Sequence, residues 1–128
     1  MTITPKWLLR GLETRDNHRS AWTGADVPDL VPQHRHGGMG GRKSKQRLSV
    51  VVWLESLIND LIESDPGWQA EAKRRGIKIS GFANPELTPI QHAVHGWCLL
   101  NDDGSVSPLN APEIAEWLAM QPFYGREL

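Results

Sequence analysis

Residues 33–47 read Gln33-His34-Arg35-His36-Gly37-Gly38-Met39-Gly40-Gly41-Arg42-Lys43-Ser44-Lys45-Gln46-Arg47, and an apolar run from Leu48 to Ile62 follows. A histidine closing a short apolar segment, then a glycine-rich cationic loop, then an apolar run, is an order that suits phosphodiester chemistry. Imidazole accepts a proton near neutral pH. Glycines let backbone approach a phosphate closely, and cations hold a polyanion. Between residues 35 and 47, Arg35, Arg42, Lys43, Lys45 and Arg47 stand without a single acid. A bare charge run marks a solvated loop, but histidines and glycines woven through it point to an anion site.

The wider chain sets limits on this reading. Its 128 residues suit one domain with one core. The net charge is -1 but unevenly placed: nine Lys or Arg against four Asp or Glu in residues 1–50, and five against eleven in 51–128. The basic half is the half that carries the loop. No apolar run reaches the roughly 18 residues of a membrane span, and Met1 to Lys6 lack a signal-peptide core, so a cytoplasmic protein with no membrane partner is expected. Cys98 is the only cysteine, which excludes an intrachain disulfide and a cysteine-rich zinc site.

Patterning predicts a short helix over residues 5–15, with Trp7, Leu8 and Leu12 on one side, then a polar, turn-rich stretch from Asp16 to Gly24. Asp29 to Pro32 reads as a short strand, whose proline suits an edge or strand end. Ser49 is a helix N-cap candidate. Trp53, Leu54, Leu57, Ile58, Leu61 and Ile62 follow an amphipathic helical spacing. Asp65-Pro66-Gly67 interrupts it, and a second helix from Trp68 to Arg75 stops at Gly76. Ile77 to Ser80 reads as a strand and Gly81 to Pro89 as a linker. Ile90–Leu100 and Ser105–Leu109 form a hairpin about Asn101-Asp102-Asp103-Gly104. Asn110, Pro112 and Glu113 then start a helix, with the tail Gln121 to Gly125 beyond it. Trp53, Trp68 and Trp117 are expected in the core, and His18 on the basic surface. His92-x-x-His95-x-x-Cys98 has ligand types at regular spacing, but on a strand His92 and Cys98 share one face and His95 takes the other. Partly buried hairpin residues are the better expectation there than zinc.

Four pieces of this sequence carry a family resemblance: Arg15-Asp16-Asn17-His18-Arg19 with Trp22-Thr23-Gly24, Leu30-Val31-Pro32-Gln33-His34-Arg35, Gly38-Met39-Gly40-Gly41, and Leu54-Glu55-Ser56-Leu57-Ile58-Asn59. Over about residues 16–80 the chain resembles the small HNH endonucleases of actinobacterial bacteriophages, which have the ββα-metal fold. The resemblance implies double-stranded DNA as partner and hydrolysis assisted by one divalent metal, Mg²⁺ or Mn²⁺. On it, His34 falls on the general base and Asn59 on the last motif position beside the metal. Gln33 takes the place of a metal-binding Asp or His, with Asp60 as a neighbouring carboxylate, and Val50 stands where a central Asn would be. Arg35, His36, Arg42, Lys43, Lys45 and Arg47 would face the DNA, with Gly38, Gly40 and Gly41 shaping the loop. Ser20 and Thr23 replace a first cysteine pair, Glu55 and Ile58 a second. No structural zinc is expected, with apolar packing of Trp22 and Ile58 in its stead.

The expected fold is therefore α+β: an HNH-like ββα core with an N-terminal helical arm in residues 1–80, and a C-terminal β-hairpin plus helix in 81–128 packed on the same domain. The expected function is DNA binding with metal-dependent endonuclease activity, in the host cytoplasm if the gene is phage-borne. The alternative is an inactive scaffold that binds a phage or host protein. Oligomeric state is left open.

Overall fold

In the computed structural model, which describes residues 4–36 and 46–125, the apolar run after the loop is a strand before it is a helix. Val51–Glu55 form β2, antiparallel to β1 (Leu30–His34), in register from Leu30 opposite Glu55 to His34 opposite Val51. Successive side chains of β2 leave opposite faces. Val52 and Leu54 enter one core with Ala21, Ile62, Ile77, Ile90 and Leu100. Val51 and Trp53 enter a second with Leu8, Leu12 and Leu30. A strand buried on both faces has no polar side and reads as an unbroken apolar run. That is why the helical spacing from Trp53 onward placed the helix start too early. Consecutive valines at 50–52 favour the extended form. The helix α2 spans only Ser56–Ser64 and touches both strands. Ser49 caps nothing; its hydroxyl and N–H donate to Asp102.

The other helices form near where their signals lie. In α1 (Lys6–Asp16), Leu8 and Leu12 are fully buried, but Trp7 is half in solvent, against expectation. Pro66–Arg74 form α3, capped by the Asp65 carboxylate accepting the Gly67 N–H at 2.9 Å. Its end is a Schellman motif: Gly76 at φ +70° donates to the Lys73 carbonyl, and Ile77 to that of Ala72. Ile77 to Ser80 do not form the expected strand; Ile79 makes a single parallel bridge with His36.

The expected C-terminal hairpin is a three-stranded meander. Strands β3 (Ile90–His92), β4 (Gly96–Leu100) and β5 (Val106–Pro108) are antiparallel neighbours, so Ile90–Leu100 already contains one tight turn. The helix α4 runs Ala111–Gly125 and takes in the segment expected to be a tail. Its capping box is reciprocal: Asn110 N–H donates to Glu113 at 2.8 Å and Glu113 N–H to the Asn110 side chain at 2.9 Å. The first core draws Val52 and Leu54 from one side of residue 80 and Ile90, Cys98 and Leu100 from the other.

Candidate nucleic-acid interface and the clusters that frame it

β1 ends at half-buried His34, whose carbonyl accepts from Lys78 Nζ at 2.9 Å. Beyond it Arg35 turns inward and is fully buried. Its guanidinium donates to the carbonyls of Gly76 (2.9 Å), Ser49 (2.8 Å), Pro85 (3.2 Å) and Thr88 (2.9 Å). Burial, then the nearby Arg15 charge, pulls its pKa down to about 9, so it stays cationic at neutral pH. The expectation that Arg35 meets DNA is thus overturned: a side chain sealed by four carbonyls has no phosphate within reach. His36 is half-buried with Nε2 on the Ala83 carbonyl at 3.0 Å. Arg47 pairs with Asp102 at 2.7 Å and with Glu86 at 3.7 Å, a carboxylate site a phosphate would have to displace. Gly38, Gly40, Gly41, Arg42, Lys43 and Lys45 lie outside the described residues.

The positions expected to hold a metal do not form a set suited to one. Gln33 and His34 are consecutive on a regular strand, so they leave opposite faces. Asp60 is exposed on α2. Asn59 is half-buried on the same helix, and its Oδ1 is buried with no hydrogen-bond partner among the described residues. A neutral amide oxygen and an imidazole, with no carboxylate shown to join them, are a poor donor set for a hard dication.

The positions read as replacing two cysteine pairs do come together. Ser20 Oγ donates to Glu55 Oε1 at 2.5 Å and Thr23 Oγ1 to Glu55 Oε2 at 2.6 Å, across 35 and 32 residues of chain. The same Ser20 oxygen accepts the N–H groups of Trp22 and Thr23. Ile58 and Trp22 pack against the first core beside this clamp, and Arg75 lies over the Trp22 ring at 4.1 Å. Glu55→Ala should remove both acceptor sites and destabilise the fold by about 1–3 kcal/mol, read from the urea midpoint; a midpoint equal to wild type would refute the clamp.

Sequence reading passed over Asp16. Fully buried at the end of α1, it accepts from Arg15 Nε and Nη2, both at 2.8 Å, from His92 Nε2 at 3.2 Å and from His95 Nε2 at 2.9 Å. The tight turn between β3 and β4 brings the two imidazoles to 4.6 Å, so alternation along a single strand did not apply. The ligand atoms of these three residues converge as they would around a metal. Their hydrogen bonds argue for a closed network instead. Four donors fill the roughly four lone-pair directions of one carboxylate. His92 Nδ1 accepts the Val94 N–H at 3.1 Å, which leaves the proton on Nε2 and no lone pair there for an ion. Burial would raise the Asp16 pKa, but the hydrogen bonds from Arg15 and His92 and their charges hold it well below the usual carboxylate range. Burial lowers that of His92 and outweighs the pull of Asp16. Cys98 is buried with its thiol pushed up to about 11, so it stays protonated and inert. His18, expected on a basic surface, is paired with Asp26 at 2.7 Å and sits edge-on to Trp53.

No family model, curated protein or solved structure matches this chain.

Proposed function

We propose that this protein binds double-stranded DNA on a divergent HNH-like ββα frame, with residues 37–45 and the residues at their root as the contact. The observation that carries this is the order β1, loop, β2, α2, with His34 closing β1 directly ahead of the cationic glycine loop. The meeting of Ser20 and Thr23 with Glu55 supports the frame, because the resemblance pairs those positions and nothing local does. Gln33 and Asn59 offer a dication only neutral amide oxygens, so the reading is one of binding.

Binding should be salt-dependent. Substituting Arg42, Lys43 and Lys45 together by Ala should weaken duplex binding at least ten-fold in moderate salt. The log–log salt slope should become shallower by about two to three, as measured by fluorescence anisotropy. A wild type with no duplex affinity, or one indifferent to salt, sinks the proposal. That result would favour a scaffold that binds a phage or host protein, the reading that burial of Arg35 and pairing of Arg47 support.

A cutting enzyme is the second reading, favoured by the unpartnered Oδ1 of Asn59. Nicking of supercoiled plasmid in Mn²⁺, lost in both His34→Ala and Asn59→Ala, would establish it.

A further inference from the structure

His92 ends β3 fully buried, and both of its ring nitrogens are engaged. Nδ1 accepts the Val94 N–H at 3.1 Å and Nε2 donates to Asp16 at 3.2 Å, which fixes one neutral tautomer. A second proton has only Nδ1 to go to, and there it would meet the Val94 N–H, donor against donor. The imidazolium therefore requires the turn between β3 and β4 to move away. That turn is a seam between parts of the fold. Ala93 N–H donates to the Ala21 carbonyl at 2.8 Å, Ala21 N–H donates to the Trp53 carbonyl of β2 at 2.8 Å, and His95 joins the turn to Asp16. Ala93 and Val94 are themselves exposed, so the turn rests on these hydrogen bonds rather than on apolar burial. Asp16 and Arg15 act on His92 from α1, and His95 acts on it from the turn. Cys98 on β4 stays a thiol, and β3 brings no other titratable group. Asp16 is held ionised far below neutral pH, which leaves the two imidazoles as the groups that can change.

We propose that the turn at residues 93–95 is an acid-released latch, opened when one proton from water binds His92 Nδ1 and breaks its hydrogen bond to Val94. The Nε2–H stays on Asp16, the turn lifts from Ala21, and β2 keeps its pairing with β1. The device stands apart from DNA binding. Burial lowers the His92 pKa from 6.5 while the turn is closed. An open turn restores the ordinary value, so closure is at full strength above 6.5 and weakens as pH falls from there toward the lowered value. Amide hydrogen exchange by NMR on the whole chain, between pH 7 and 5, reads the opening. Corrected for the intrinsic pH dependence of exchange, protection of Ala93 and Val94 should fall by up to about ten-fold per pH unit in that window. It should also lie well below that of Val52 and Leu54 in β2 at every pH, because those amides open only with the core. His92→Gln, which cannot titrate, should flatten the profile, and His95→Gln should keep it. A check that needs no variant is the ring nitrogen shift of wild-type His92, which should titrate together with the loss of Val94 protection. Protection of Val94 that is independent of pH, or equal to that of β2 throughout, overturns the latch. So does a profile that survives His92→Gln and vanishes in His95→Gln.

Discussion

Replacing Arg35 by methionine should lower stability by about 4 kcal/mol or more. Four carbonyls from three segments (Ser49, Gly76, and Pro85 with Thr88) converge on one guanidinium. Its own backbone joins Val50 to Ile79 through the Arg35 N–H and carbonyl. Each buried acceptor left unpaired costs about 1–3 kcal/mol, against a total stability of about 5–15 kcal/mol for a domain of this kind. The four acceptors are carbonyls and none is a carboxylate, so methionine strands no opposing charge among them and the loss comes from the carbonyls. Arg35→Lys should fall between, since an ammonium offers three donors in no fixed fork. Urea denaturation should rank wild type above lysine above methionine. A methionine variant within about 1 kcal/mol of wild type would show that the carbonyls find other donors, and would reopen a surface role for Arg35.

Asp16→Asn should cost about 3–5 kcal/mol, the range for removing one partner of a buried ion pair. It leaves the Arg15 guanidinium buried without its counter-charge and turns an amide N–H₂ toward the imidazoles that donated to the carboxylate. The same cluster sets a pH profile. His92 titrates below its ordinary 6.5 when folded. As pH falls through that value the unfolded chain takes up a proton that the folded chain refuses, and stability drops. The Asp16 contribution is fully present above its unfolded value of 3.8 and is lost as pH falls toward its lower folded value. Both act in one direction, as does Glu71, which the Arg74 and Arg75 hydrogen bonds hold at about 2 against burial. Stability should rise with pH from 4 to 7, and in Asp16→Asn the limb should be shallower only below the ordinary carboxylate value of 3.8, where wild type protonates Asp16 on unfolding. A wild type that gains stability on acidification would contradict the protonation states assigned to Asp16 and His92.

Gly76 and Asn110 were legible before any coordinates, because capping is local; Asp65, equally local, read only as an interruption. An αL turn at Gly76, the Asn110–Glu113 box and the Asp65 cap each depend on residues within one or two helical turns. The pairing of Ser20 and Thr23 with Glu55 was not legible, since no local pattern links positions so far apart. Asp16 left no signal at all. An acid at the end of a polar helix reads as solvated, and its burial depends on a hairpin turn almost eighty residues further on.

By itself, then, the sequence determined the stop at Gly76, the start at Asn110, the α+β class and the coincidence of glycine, histidine and positive charge between residues 33 and 47. Tertiary structure alone decided that Arg35 is buried and that Arg47 is paired with Asp102. Arg35 has the same side chain as its neighbours in the basic run, yet it lies where four carbonyls meet. The reason is physical: a side chain's burial is set by which other segments arrive beside it, and for Arg35 those segments lie 14 to 53 residues away.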